Sequence, residues 1–390
     1  MSEYQYYEWL AIDRPLNAKQ LKEVGALSSH MDTVAPTQAS VTYSFGDFKH
    51  DPLKVLTLYF DAFLYVANWG TQRLAFSFPK AAIPLSAIDP YLIEGVITVT
   101  NSGPLMILDI AINEEGGDSD WIEADGLLAQ VAGVRQQLIR GDYRALYLIW
   151  LALVLRGADS DGREDADEYE DEGDDDIDPT DFARSTEPPV PAGLHALDGS
   201  LTALCNLFGV DMHLVKAAAA SSAKVAKPTA SAVRLAIARL PRERADAYLF
   251  QLINDELQLS SALLKELGLG ATAPPQQTGK GRTGKTLLEV ARRLAKSAQQ
   301  RDQEEAKRAR IAALEKLATR EDSAWEAVEP SMHKQTAAGY DAAVEQLVDL
   351  RDLAEHRNTS AQFEARLSRV VAEFGRSSAL MKRLRAARLV

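Results

Sequence analysis

The stretch Tyr4-Gln5-Tyr6-Tyr7-Glu8-Trp9-Leu10-Ala11-Ile12 decides how the first half of this chain folds. Tyr6 and Leu10 fall on one face of a two-residue period, and Tyr7 and Trp9 fall on the other. Apolar residues on both faces are typical of an interior strand in a sheet that is covered on both sides. The pattern therefore predicts a sheet that is built around this segment.

The residues that follow predict helices that alternate with further strands. Asn17 can cap a short helix through Ser28, and Asp51-Pro52 is a favourable helix start. From Asp51 the apolar spacing, which includes Phe63, predicts one helix that ends at Gly70. The other predicted elements are strands at residues 39–45, 73–78, 96–100 and 105–112, with a hairpin turn at 101–103, and helices at 124–139 and 142–156. This order favours an α+β or α/β domain, residues 1–156, in which helices cover a mixed sheet and parallel strand pairs are allowed.

An acidic stretch follows this domain. Residues 159–181 hold fourteen carboxylates against one base, Arg163, and so carry the whole formal net charge of −13. Like charges at this density repel one another, and few apolar residues are present to offset the entropy of ordering. We therefore expect residues 157–193 to be a disordered acidic tether between two independently folding parts.

The second half has the pattern of an all-α structure. Helical spacing and Gly or Pro breaks predict a helical domain at 194–268, a flexible linker at 269–282, and a long charged helix within residues 283–390. Helical hairpins are expected after that helix. The spacing Gly339-Tyr340-x2-Ala343-x3-Leu347 is similar to the second half of a tetratricopeptide repeat, and an ordinary helical bundle is the alternative.

Motifs for catalysis, cofactors and metals are not evident in the sequence. Residues 279–286, Gly-Lys-Gly-Arg-Thr-Gly-Lys-Thr, satisfy GxxxxGK[ST], but no strand precedes them to form a phosphate loop. We therefore interpret them as a basic linker and do not expect Lys285 to bind a nucleotide. The six histidines form no metal motif, and Cys205 has the spacing of a buried apolar residue. We accordingly predict no catalytic, cofactor-binding or metal-binding residues and no cofactor.

Asp61 is the one polar residue of the first half with two interpretations, because apolar residues surround it in the sequence. The first is a carboxylate with a raised pKa that serves acid–base chemistry. The second is a structural carboxylate that pairs with an arginine such as Arg73 or accepts a hydrogen bond from a tyrosine. The structural interpretation is favoured, because no His or Cys nearby in the sequence completes a catalytic group.

Three features of the sequence indicate the cellular compartment of the protein. The lone cysteine fits a reducing compartment, and the first residues lack a secretory pattern. The longest apolar run, residues 145–155, is shorter than the ~20 residues that cross a bilayer. We expect a cytoplasmic protein with no membrane association.

Several strings resemble an uncharacterised bacterial family whose genes lie beside those of SWIM-type zinc-finger proteins. They are residues 6–16 (YYEWLAIDRPL), 46–48 (GDF), 59–70 (YFDAFLYVANWG) and 187–194 (EPPVPAGL). The C-terminal helices are similar too. The resemblance implies no assigned activity and no site residues.

Two functional hypotheses follow. The first is a non-catalytic protein–protein interaction, scaffold or adaptor protein with an unknown partner. The alternative is a nucleic-acid-associated factor, because residues 280–320 hold 12 bases against 5 acids and residues 376–388 hold 5 bases and no acid. Both charge runs also fit a solvated helix face. An enzyme that uses Asp61 or the GxxxxGK[ST] string ranks third.

Overall fold

The computed structural model describes residues 4–113, 124–160, 180–224, 229–253, 259–268 and 281–390. The chain divides into two compact units, residues 1–294 and 295–390. The first unit contains a sheet with helices, and the carboxyl-terminal half is mostly helical. The predicted fold class is therefore confirmed.

Seven strands form one sheet. They are β1 (Gln5–Leu10), β2 (Met31–Ala35), β3 (Gln38–Tyr43), β4 (Ala62–Ala67), β5 (Gln72–Pro79), β6 (Ile97–Ser102) and β7 (Leu105–Ile112). The spatial order is β2-β3-β1-β4-β5-β7-β6, and β1 is an interior strand, as predicted. Every described strand pair is antiparallel, so the sheet is not mixed. Short turns join β2 to β3, β4 to β5 and β6 to β7, and strands joined in this way pair antiparallel, since a parallel pair needs a long crossover.

Helices make up most of the remaining structure. They are α1 (Ala18–Gly25), α2 (Pro52–Tyr59), α3 (Leu85–Ile88), α4 (Leu127–Val131), α5 (Gly133–Ile139), α6 (Arg144–Ser160), α7 (Thr180–Arg184), α8 (Gly199–Leu207), α9 (Met212–Ala219), α10 (Ala230–Ala238), α11 (Arg242–Ile253), α12 (Leu259–Glu266), α13 (Gly284–Ala318), α14 (Glu321–His333), α15 (Ala337–His356), α16 (Ser360–Phe374) and α17 (Ser378–Ala386). Among the helices that the structure describes, none combines the length and the apolar character of a membrane span.

The helix predicted from Asp51 to Gly70 is wrong in its second half. Asp51 caps α2 as expected, since its side chain accepts the N–H groups of Leu53 and Lys54. The helix ends at Tyr59, Phe60 is extended, and the following residues form β4 between β1 and β5. A strand that is buried on both faces shows no clear period, so its apolar residues also fit a helical spacing. Strand β2 was not predicted from the sequence either.

The sheet packs apolar side chains on both faces. One face, with Tyr7 and Trp9, contacts α1 and α2 through an apolar cluster. The opposite face, with Tyr6, shares a larger core with α6, α8, α9 and the first turns of α13. Residues 194–219 therefore complete the core that covers the sheet.

The bounds of both predicted linkers need correction. Residues 180–193 were assigned to the tether, yet they contain α7 and the buried side chain of Glu187. The reason is that the acidic run ends at Asp181, after which Phe182 and Ala183 pack on the core. Residues 281–282 likewise belong to packed structure, because Arg282 pairs with Glu187. Residues 157–160 were also assigned to the tether, yet they form the last turn of α6. Residues 161–179 and 269–280, on which the rest of these predictions falls, lie outside the described residues.

The second unit is helical. Its core is formed by residues of α14 to α17, among them Trp325, Leu347, Phe363 and Leu384. Tyr340, Ala343 and Leu347 are buried on one face of α15, as their spacing predicts. Residues 299–310 of α13 are all exposed, which fits the expected solvated helix.

Candidate functional site

Glu8 is a fully buried carboxyl in the middle of β1. The strand alternation places it on the face of the sheet that also carries Tyr6 and Leu10. Its Oε1 atom accepts a hydrogen bond of 2.8 Å from Nε2 of Gln38. Its Oε2 atom has no hydrogen-bond partner among the described residues, and neither has the hydroxyl group of Tyr6. Buried polar groups without partners are uncommon in folded proteins, so the Glu8 Oε2 atom and the Tyr6 hydroxyl are unusual within this core.

The surroundings of Glu8 alter its protonation. Burial raises the pKa of Glu8 to about 7, against lesser lowering effects of Gln38 and the backbone of Leu128. The negative charge of Asp125 raises the same pKa further. Burial also raises the pKa of Tyr6. Glu8 therefore changes charge near neutral pH, and the chemistry open to it is to hold or release one proton.

Glu8 was not predicted from the sequence as a candidate site residue. The signal was present, because the two-residue period of an interior strand places position 8 on a buried face. A glutamate at such a position must be desolvated, and desolvation is a main cause of raised carboxyl pKa values.

The contacts of Asp61 are those of a structural carboxylate. Its Oδ2 atom accepts the backbone N–H groups of Ile12 at 2.6 Å and Asp13 at 2.8 Å. The guanidinium of Arg135 lies 3.6 Å from Asp61, and the same guanidinium donates to both carboxylate oxygens of Asp13. The arginine named from sequence, Arg73, pairs instead with Asp109. Asp61 thus joins the start of β4 to the end of β1.

Arg135 is the centre of this group. Its side chain is 2% exposed, and its Nε atom donates to the carbonyl of Ser77 at 2.9 Å. The guanidinium also lies over the ring of Phe78, 5.3 Å from the centroid. These partners fix α5 against the sheet.

The glycines of the GxxxxGK[ST] string permit close packing. A Cβ atom at Gly284 would lie 2.6 Å from the carbonyl oxygen of Phe182 and 2.9 Å from Cγ1 of Val154. A Cβ atom at Gly281 would lie 2.6 Å from the side chain of Thr186. Lys285 is exposed, and positions 279–280 lie outside the described residues. The two described glycines thus lie where the start of α13 passes close to residues 182–186.

An ion pair accompanies this close approach. Arg282 donates to Glu187 through Nε at 2.9 Å and through Nη2 at 2.8 Å. The hydroxyl of the buried Tyr147 donates to Glu187 Oε1. Arg282 also donates to the carbonyls of Ala217 and Ala218 at the end of α9. The donors of Arg282 are therefore directed to internal partners, which is the arrangement of a structural clamp.

The basic runs are partly neutralised inside the second unit. Arg310 of α13 donates to Asp349 at 2.7 Å and to Asp352 at 2.6 Å. Arg383 of α17 donates to Asp341 at 2.6 Å. Other bases, such as Arg385, are exposed. These pairs reduce the charge that the two predicted nucleic-acid surfaces present.

Apolar side chains are concentrated on the surface of two consecutive helices. Of sixteen large hydrophobic residues exposed in the described parts of the chain, six lie between positions 235 and 253. They are Leu235 (56% exposed), Ile237 (47%), Leu249 (57%), Phe250 (67%), Leu252 (62%) and Ile253 (79%). Neither α10 nor α11 has a buried residue. Single exposed hydrophobic residues are ordinary, so six of them within residues 235–253 set this segment apart from the other described parts of the chain.

A polar cluster orients α11 against α12. Arg244 donates to Glu266 through Nε at 2.9 Å and through Nη2 at 2.5 Å, and the hydroxyl of Tyr248 donates to the same carboxylate at 2.5 Å. Hydrogen bonds from Arg244 and Tyr248 lower the pKa of Glu266 to about 2. The Glu266 carboxylate thus accepts hydrogen bonds that join α11 to α12 at the surface.

In the described part of the chain, neither Cys205 nor the potential metal ligands show a reactive arrangement. Cys205 is 1% exposed, and burial raises the pKa of its thiol to about 11. A thiol in that state is a poor nucleophile. Within the described ranges, no three His, Cys, Asp or Glu side chains lie close enough together to hold a metal ion.

The fold and this surface define an α+β domain whose sheet is covered by helices, followed by helices that leave apolar side chains exposed. Comparison with protein-family models, with curated proteins and with solved structures gives no match to this chain.

Proposed function

We propose that this is a non-catalytic interaction protein, a scaffold or adaptor, that binds a second protein through α10 and α11. On α11 the binding surface consists of Leu249, Leu252 and Ile253, which we term the apolar helical face, and Leu235 and Ile237 are the exposed large apolar residues of α10. The observation that carries the proposal is that these helices expose large apolar residues and bury none. An ordinary surface helix of a globular protein buries its apolar stripe.

The spacing on α11 supports this use. Leu249, Leu252 and Ile253 follow an i, i+3, i+4 pattern, so their side chains share one side of the helix. Such a stripe is the usual means by which a helix contacts an apolar surface of another protein. Full burial of one Leu or Ile side chain contributes about 1.5–3 kcal/mol, and each of these three side chains is more than half exposed. A partner therefore has about 1 kcal/mol or more to gain at each position.

We propose a cytoplasmic location as well, because the lone cysteine suits a reducing compartment. Membership of the uncharacterised bacterial family stays a prediction. The nucleic-acid hypothesis is the second candidate, because Arg376, Lys382, Arg385 and Arg388 are all exposed at the carboxyl-terminal helix. A salt-dependent gel shift with duplex and single-stranded DNA tests it.

The test of the protein-binding proposal compares variants as bait in the native host. The double variant Leu249→Ser, Leu252→Ser removes the centre of the stripe. The matched control is Leu58→Ser on α2, where the leucine is 66% exposed. Far-UV circular dichroism and thermal unfolding check that both variants keep the fold, since they replace exposed side chains.

Captured proteins are then quantified by mass spectrometry. We expect at least one protein to be retained by the native chain and by Leu58→Ser, and to be reduced at least tenfold with the double variant. Identical capture by all three baits would contradict a binding role for this face.

A further inference from the structure

We infer that α4 is a proton-controlled cover over Glu8. It stays packed on β1 while the Glu8 carboxyl is protonated, and it separates from β1 when that carboxyl is ionised. In the separated state water reaches the carboxyl. Such a cover works independently of partner binding at α10 and α11.

The ionised form of Glu8 has no compensating charge where the side chain lies. Glu8 is 0% exposed, and it forms no ion pair with any residue that the structure describes. Its Oε2 atom has no hydrogen-bond partner among these residues either. A carboxylate without partners is too costly to keep in an apolar interior, so Glu8 either holds its proton or gains access to water.

The neighbours of Glu8 come from the two adjacent strands, from its own strand and from α4 with the residues just before it. They are Gln38 and Ser40 of β3, Leu64 of β4, Tyr6 of β1, Leu128 of α4, and Asp125. Asp125 is the charged member of this set, and its negative charge acts on both Glu8 and Tyr6. Asp125 therefore repels the ionised form of Glu8 and gives it no counter-charge.

Among these neighbours, α4 is the element that can move away from Glu8. Strands β3 and β4 are each joined to β1 along six residue pairs. Helix α4 has only five residues, and its N-cap is Gly126, which has no side chain to cap the helix. Leu128 and Val131 hold α4 through apolar contacts, and α8 contacts it as well. The next helix, α5, is anchored to the sheet by Arg135, so the movement is confined to α4.

The direction of the pH effect follows from proton linkage. Burial raises the pKa of Glu8 from 4.5 to about 7, whereas a carboxyl that water reaches keeps its ordinary pKa. Between these two values the open state releases a proton that the closed state retains, so each rise in pH favours opening. Below pH 4.5 both states hold the proton, and above about 7 both have lost it, so the effect is limited to this window.

The test is hydrogen–deuterium exchange of the full-length protein at pH 5 and pH 8, with rates corrected for the intrinsic pH dependence of amide exchange. We expect the protection of residues 124–132 to fall about tenfold or more between the two pH values, because the open state gains stability from the released proton. At pH 8 this protection should be lower than that of residues 72–79 in β5, since amides of a central strand need wider unfolding to exchange.

Three variants separate the contributions. Glu8→Gln keeps the size of the side chain and cannot ionise, so residues 124–132 should be equally protected at the two pH values. Asp125→Asn removes an exposed negative charge that repels Glu8, so the loss of protection should be smaller than in the native protein. The matched control Glu94→Gln replaces an exposed carboxyl elsewhere and should show the native loss.

Two results would overturn the inference directly. One is a loss of protection in Glu8→Gln as large as that of the native protein. The other is equal protection of α4 and β5 at pH 8, which would mean that α4 leaves the sheet only when the whole unit unfolds. If Glu8→Gln does not fold, Asp125→Asn decides, because an undiminished loss in that variant also contradicts the cover. These results do not depend on Leu249 or Leu252, so they leave the proposed function to its own test.

Discussion

Glu187 and Arg282 lie 95 positions apart in the chain and form a doubly hydrogen-bonded ion pair, with donor–acceptor distances of 2.9 and 2.8 Å. The Glu187 side chain is 5% exposed and that of Arg282 is 27% exposed, so the carboxylate is shielded from solvent and the guanidinium is partly exposed. It joins a segment that follows the acidic run to the start of α13, and the backbone reinforces it, because the Glu187 N–H donates to the Arg282 carbonyl at 2.8 Å.

Loss of Arg282 should destabilise the first unit strongly. Replacement of Arg282 with Ala leaves the Glu187 carboxylate buried without its counter-charge, which costs about 3 kcal/mol in the free energy of unfolding. Lys285→Ala, three positions away and exposed, should change that free energy by less than about 0.5 kcal/mol. Urea unfolding of both variants measures the difference. Equal stability of the two would mean that the clamp does not hold the structure.

Glu8 should make stability depend on pH. Its pKa is raised from the ordinary 4.5 to about 7 in the folded protein, so the folded state retains the proton that the unfolded state releases. The contribution of protonated Glu8 to the free energy of unfolding is complete below pH 4.5. It falls as the pH rises to about 7, and it is lost above that pH. The shift corresponds to at most about 3 kcal/mol.

The variant Glu8→Gln cannot ionise and should escape this loss. We expect the difference in unfolding free energy, variant minus native, to rise in favour of the variant between pH 5 and pH 8. The exposed Glu94→Gln should follow the native profile and serves as the control. A difference that stays constant across this range would show that Glu8 is already ionised at pH 5.

The two sides of β6 should tolerate proline differently. The Ala111 N–H donates to the Val96 carbonyl at 2.9 Å, which sets the hydrogen-bonding phase of β6 on β7. Every second residue of β6 counted from Val96, including Thr100, therefore hydrogen-bonds to β7, whereas the N–H of Val99 points away from the sheet. Val99→Pro removes no bond within the sheet, whereas Thr100→Pro removes one. We expect Thr100→Pro to be the less stable by about 2 kcal/mol in urea unfolding. The reverse order would contradict the register of β6 on β7.

Local patterns predicted the parts of the fold that neighbouring residues determine. The cap of α1 at Asn17 and the cap of α2 at Asp51 are confirmed, because each needs only one side chain and the next turn of backbone. The hairpin between β6 and β7 is confirmed too, but its turn lies at residues 103–104, where Gly103 adopts a φ of 56°, because Asn101 and Ser102 still pair with β7. Residues 62–67 were misassigned because only the flanking strands β1 and β5 decide between helix and strand there.

The polar groups were harder to predict because their partners are distant in sequence. Arg135 donates to Asp13, which lies 122 positions away in the sequence, and no local sequence pattern predicts such a contact. The pairing of Glu187 with Arg282 could not be predicted for the same reason. Glu8 is different, since its burial follows from the alternation of β1 alone. The apolar helical face could be recognised only in the structure, because an amphipathic pattern shows which residues share a side of a helix but not whether that side is covered.

The most direct test of partner binding at α10 and α11 is hydrogen–deuterium exchange of the protein alone and in complex with its captured partner. We expect backbone amides of residues 230–253 to exchange at least tenfold more slowly in the complex, while those of α17 keep their rates. Protection of α17 with unchanged exchange at residues 230–253 would contradict the account and favour a partner that binds the basic carboxyl-terminal helix.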